Sequence, residues 1–155
     1  MIKTSRHWQA VYLFGVYHGE KSMKVQHLEM IQGIINRMAG NSFALKGWAV
    51  TLIAGILVLA DKDTDKIYIF IAVVPVLFFW VLDSYYLLQE RLFRALYKKV
   101  QAMDEGKVDF SMDISPKEFH TGENTFICCL KSATEFWFYM PLAVVTVVII
   151  IAAYF

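Results

Sequence analysis

The twenty residues from Phe136 to Phe155, FWFYMPLAVVTVVIIIAAYF, carry no charged side chain, and an α-helix of that length reaches across the hydrocarbon core of a bilayer. Two further apolar runs, Phe43 to Ala60 and Ile67 to Leu82, are separated by the polar hexapeptide DKDTDK at Asp61 to Lys66. A soluble bundle could hide one such run. Three of them in 155 residues leave too little polar sequence to cover them. The 57% hydrophobic content and mean hydropathy of +0.46 exceed what soluble domains carry. The expected fold is therefore an all-α integral membrane protein: a long helical hairpin of two spans with cytoplasmic extensions, plus a third span at 136–155.

Segment boundaries follow from polarity. Residues 1–22 read as an appendage rather than a cleaved signal peptide, since Trp8 to Tyr17 is short, aromatic and followed by His18, Gly19 and Glu20 instead of a small-residue cleavage site. Met23 can itself begin the main helical pattern. Residues 23–103 form the expected hairpin, with spans near 43–60 and 67–87, and 104–135 is a connecting segment. Six Lys and Arg precede or begin the first span, seven more lie between Asp83 and Glu135, and the DKDTDK turn has two. Cytoplasmic loops retain the excess of Lys and Arg. This places the N-terminal part and 83–135 inside, and the turn and Phe155 outside. The net charge of +1 conceals that asymmetry. On the inner side, Cys128 and Cys129 would stay reduced.

Periodicity describes the extensions. Leu28, Ile31, Ile34, Ile35 and Met38 share one helix face ahead of the first span, and Leu88, Leu92, Leu96 and Val100 make an i, i+4 stripe after the second. With a six-residue turn between them, the two arms must be antiparallel neighbours that pack stripe to stripe over about 50–60 Å. Beyond Gly106, the alternation in VDFSMDI suits a short extended segment. Ser115, Pro116, Lys117 and Glu118 match a capping box with proline at the first helical position. From Glu123 onward the chain reads as helix into the third span, interrupted before that at Gly122.

Functional candidates are polar groups at membrane depth, where ionisable side chains are costly unless paired or hydrated. Asn41, Ser42, Lys46 and Thr51 open the first span and Asp83 closes the second. Folding the hairpin flat puts Asp83 level with Lys46, within reach of an ion pair. Two readings stand: both side chains snorkel to the inner interface, or the set hydrates a pore or gate. Gly33, Gly40 and Gly47 recur every seven residues, either as a contact stripe for a second copy or as a kink near Gly40 and Asn41. Pro75, expected inside the second span, is a candidate bend for gating.

The basic residues Arg91, Arg94, Lys98 and Lys99 admit contact with anionic lipid or capture of a phosphate-bearing ligand. The histidines lack metal-ligand spacing, and His120 with Glu123 reads as surface helix, so neither a metal nor another cofactor is expected. Ser132 and Thr134 have no histidine in local register and no glycine-rich elbow. No converging acid and base appear, and an enzyme is not expected.

The strings HLEMIQGIINRMAGNSFALKGWAVTL at 27–52 and FFWVLDSYYLLQERLFRALYKKV at 78–100 resemble small bacterial membrane proteins of the RipA and SLATT-like kind. The resemblance lies in Asn41, Ser42 and Phe43 at the entry to the first span, and in Asp83, Tyr85, Tyr86, Glu90 and Arg91 at the exit from the second. It covers about half of the chain and does not extend to the third span. It implies a homo-oligomeric assembly of the bacterial inner membrane, of the type used as an effector in antiviral defence (abortive infection), where a cytoplasmic partner enzyme makes a nucleotide or oligonucleotide signal. The function expected from these features is a regulated pore or ion channel. A non-conducting adaptor that recruits a cytoplasmic partner is the alternative.

Overall fold

A computed structural model describes residues 22–59, 71, 73–119 and 122–154, which are mostly helical with no strand among them. The DKDTDK turn, residues 1–21, His120 and Phe155 lie outside the described residues. Helix α1 spans Met23–Leu59 and α2 spans Val73–Ala102. A single 3₁₀ turn at Glu105–Lys107 and two short helices, α3 (Pro116–Phe119) and α4 (Phe126–Leu130), connect them to α5 (Ala133–Tyr154).

Helices α1 and α2 pack antiparallel as the expected hairpin. At 37 residues, α1 is about 55 Å long. Its face at i, i+4 spacing buries His27, Ile31 and Ile35 at one end and Leu45, Ala49 and Ile53 at the other. In the stalk, Ile31 and Ile35 meet Leu88, Leu92, Leu96 and Val100 of α2 in one core that also takes in Val108, Phe119 and Cys129. At the other end, Ala49 and Ile53 meet Val76 of α2 and Tyr139 of α5. The stalk is closed by Lys24, whose Nζ donates to the carbonyls of Gln101 (3.0 Å) and Met103 (2.6 Å). These carbonyls belong to the C-terminal end of α2, where backbone acceptors lack intrahelical partners and favour a cation.

Several local expectations need correction. Helix α1 runs through Gly40 and Asn41 without a break. Pro75 is the third residue of α2, not an interior residue. A helix has no intrahelical partner for its first four N–H groups, so the missing donor of Pro75 costs nothing there and supplies no mid-span bend. Among the described residues, Pro141 of α5 lies inside its helix.

The 108–115 segment is not a regular extended strand. Asp109 Oδ1 accepts from the Ser111 N–H and Ser111 Oγ from the Asp113 N–H, both at 3.1 Å, local bonds that replace ladder pairing. Phe110 between them has φ +55°. Helix restarts at Pro116 as read, but for one turn only, and Gly122 has φ +57°. The run from Glu123 is likewise divided: α4 ends at Leu130, and α5 begins at Ala133 after Ser132.

Two of the described helices are long and apolar enough to cross a membrane, α1 over Met23–Val58 and α5 over Ala133–Ala152. Only 17% and 22% of their most apolar stretches are buried within the subunit. Phe43 (81% exposed), Val58 (83%) and Trp137 (76%) are turned outward.

Candidate functional site

Where α1, α2 and α5 meet, the apolar interior is interrupted by one ammonium and two carboxylates. Lys46 projects from α1, one turn after Ser42 on the same face. Its Nζ donates to Ser42 Oγ (3.1 Å), to Glu135 Oε1 of α5 (3.1 Å) and to Asp83 Oδ2 of α2. The Tyr139 hydroxyl, one turn beyond Glu135 on α5, donates to the same Asp83 oxygen at 3.0 Å. Asp83 and Tyr139 are 0% exposed and Glu135 1%. The ammonium also lies 5.7 Å from the Phe138 ring centroid and 5.9 Å from that of Tyr139, within cation–π range.

Local sequence sets this geometry. Ser132, Ala133, Thr134 and Glu135 form a capping-box pattern, and Ser132 Oγ accepts from the Glu135 N–H at 3.5 Å. The start of α5 therefore falls at the depth of Lys46. Trp80 fastens the junction from α2: its Nε1 donates to the Leu130 carbonyl at 3.1 Å, and its ring lies parallel to that of Tyr139 at 6.0 Å. Ser84 is buried and returns its hydroxyl to the Trp80 carbonyl at 2.7 Å.

Of the expected membrane-depth residues, Ser42, Lys46 and Asp83 are brought together, and Asn41 is half-buried beside them. Thr51 is not part of the cluster. It is exposed on the opposite face of α1, with its hydroxyl on the Gly47 carbonyl at 2.9 Å, along with exposed Gly33, Gly40, Gly47 and Gly55. A Cβ added at any of these glycines would meet nothing within 4 Å.

The basic stripe divides. Arg91, Arg94 and Lys98 line an open pocket of about 320 Å³ with Ala95, Glu123 and Asn124. Arg91 donates to the Glu123 carbonyl (2.8 Å) and Arg94 pairs with Glu90 (2.6 Å). Lys99 points elsewhere and pairs with Glu118 at 2.5 Å. Beneath this surface, burial pushes the Cys129 thiol above its ordinary pKa, against the opposing effect of Arg91.

Glu135 and Tyr139 were not among the residues expected at the site. The signals were present: a Ser-x-x-Glu start immediately before the charge-free run, and a tyrosine four residues on, which shares the carboxylate's helix face.

No family model, curated protein or solved structure matches this chain.

Chemically, the cluster is an ionic latch across three helices. It has one positive and two negative groups, the two carboxylates buried and the Lys46 side chain 16% exposed. Breaking it would free α5 from the hairpin at one level, while the stalk core stays intact.

Proposed function

We propose that this chain is a subunit of a homo-oligomeric, regulated ion channel of the bacterial inner membrane, with the stalk in the cytoplasm and three spans. The observation that carries the reading is the distribution of polarity around α1. Over its apolar half, residues 43–59, the one charged side chain, Lys46, turns inward to the latch, while the opposite face carries Gly47, Thr51 and Gly55 beside the exposed apolar side chains of Trp48 and Val58. Small residues let helices approach closely in lipid. Several α1 helices set around an axis would present Gly40, Gly47, Thr51 and Gly55 to one another and to the lumen.

Asp83 then acts as part of the gate rather than as a lining residue, because it is sealed inside the subunit. Low burial of the two most apolar helices supports lipid exposure, since a helix apolar all round is at home in a membrane. The charge-free start of α2, Val73 to Leu82, supports α2 as a span beside α1 and α5. The resemblance to RipA and SLATT-like proteins supports an effector role in antiviral defence.

Reconstitution in planar bilayers tests this reading, with Thr51→Asp beside the wild type. A ring of added carboxylates in the lumen favours cations, so the reversal potential under a salt gradient should move toward the cation value. A stable oligomer that never conducts refutes the channel.

The Arg91, Arg94 and Lys98 pocket favours a second reading, a scaffold that holds an anionic cytoplasmic partner, such as a nucleotide or an acidic face of a signalling enzyme. Under it, Arg94→Glu with Lys98→Glu abolishes recruitment and no variant affects permeability.

A further inference from the structure

The latch has more acceptors than donors. An ammonium offers three N–H groups, and those of Lys46 go to Ser42, Asp83 and Glu135. Tyr139 commits its single donor to Asp83 Oδ2. Two buried oxygens, Asp83 Oδ1 and Glu135 Oε2, are left without a hydrogen-bond partner among the described residues. Both belong to side chains at least 99% buried, and both carboxylates stand on the same nitrogen.

The formal charge of the cluster is one positive against two negative, hence −1. An unpaired charge sealed from water is strongly disfavoured, and two carboxylates sharing one site resist joint ionisation.

From this we infer that the Lys46–Asp83–Glu135–Tyr139 cluster is a proton-binding site, holding one exchangeable proton on the Asp83 and Glu135 carboxylate pair. A proton added to an orphan oxygen converts that acceptor into an O–H donor and brings the cluster to zero charge. Lys46 keeps its three bonds throughout. A metal ion would want several more oxygens than two, and no group of three or more His, Cys, Asp or Glu side chains suited to a metal occurs among the described residues.

The titratable groups facing the pair are Lys46 from α1, Tyr139 from α5, and Cys129 from α4, whose thiol is sensitive to the Glu135 charge. Only Lys46 brings positive charge into contact with both acids. Loss of the proton leaves one uncompensated negative charge where three helices meet, and the junction loosens. The proton site stands on the cluster geometry; its use as the trigger of the gate rests on the channel reading.

Difference infrared spectroscopy of the purified wild-type protein, titrated from neutral to alkaline pH, reads the proton directly through the carbonyl stretch of a carboxylic acid. The expected result is one protonated carboxyl per folded chain at neutral pH, lost on alkaline titration. It is absent in Glu135→Gln or in Asp83→Asn, and unchanged in the surface control Glu118→Gln. Wild-type protein labelled at the carboxyl of glutamate or of aspartate shows by the isotope shift that the band is a carboxylic acid and which residue type holds the proton, without reliance on a variant folding. The inference is overturned if every carboxylate is ionised at neutral pH, if the band survives in both cluster variants, or if sodium at constant pH abolishes it, which would mark a cation site. The readout needs no current, so a silent protein with the band refutes the channel alone, and a conducting protein without it refutes the proton site alone.

Discussion

Replacing Lys46 with methionine keeps an unbranched apolar stem out to Cε while deleting the ammonium that three acceptors share. In the wild type the ammonium is bonded to Ser42, Asp83 and Glu135, and its own side chain is only 16% exposed. Without it, two carboxylates that are 0% and 1% exposed face each other with a single donor between them, the Tyr139 hydroxyl. Removing one partner of a buried ion pair costs about 3–5 kcal/mol, whereas replacing all the members with apolar groups of similar volume is often neutral or stabilising.

The expected loss for Lys46→Met is therefore about 3 kcal/mol, toward the lower end because polar groups of the unfolded chain also find partners in a membrane environment. The combination Lys46→Met, Asp83→Val, Glu135→Leu and Tyr139→Phe should restore stability to within about 1 kcal/mol of the wild type, for the reason just given. Equilibrium unfolding in mixed micelles, followed by circular dichroism, measures both. A Lys46→Met loss below about 1 kcal/mol, no larger than that of an exposed ion pair, would refute the claim that the latch holds the three helices together.

The stalk buries His27 with neither ring nitrogen bonded among the described residues, its ring edge-on to Phe110 at 5.6 Å. An unsatisfied buried polar group costs about 1–3 kcal/mol, so His27→Leu should stabilise the fold by about 1 kcal/mol in the same unfolding assay, and a loss would contradict the unpaired imidazole. Maleimide labelling of the folded protein should give one adduct per chain, on exposed Cys128. Buried Cys129, with its thiol pKa raised by desolvation, should react only after denaturation, because the thiolate is the nucleophile; equal rates by mass spectrometry would count against the packing of α4. At Gly47 an added Cβ meets nothing within 4 Å and the position is exposed, so Gly47→Leu should leave the helical content unchanged and the stability within about 0.5 kcal/mol of the wild type, as for an ordinary surface change. Light scattering should show a lower oligomeric mass, and an unchanged mass would remove the α1 outer face from the contact between copies.

The hairpin was legible because its signals repeat: Leu88, Leu92, Leu96 and Val100 at i, i+4 spacing match the face of Ile31 and Ile35, and the stalk core joins those residues. The Lys46 to Asp83 pairing was legible because each is an isolated charge at the inner margin of an apolar run, and an antiparallel fold sets their level. Glu135 escaped notice because it lies one residue outside the charge-free run, where a charge looks like an interfacial flank. The Ser132 cap makes it the start of α5 instead. The extent of apolarity places Pro75 in a span interior, but hydropathy does not mark where helical hydrogen bonding begins, and α2 begins at Val73. Alternation in the 108–115 segment points to an extended strand, whereas the Asp109 and Ser111 side chains bind nearby backbone N–H groups and make it turn-like. The place of His27, one turn before Ile31 on the buried face, was legible from spacing, whereas its ring's lack of a partner among the described residues carried no local signal.

Ion conduction by the assembled protein is the central claim, and single-channel recording in planar bilayers tests it most directly, with purified wild-type oligomer and Thr51→Asp compared under the same salt gradient. The account predicts discrete currents whose reversal potential moves toward the cation value in Thr51→Asp. An intact oligomer that stays silent, or currents indifferent to Thr51→Asp, would contradict a lumen lined by the outer face of α1.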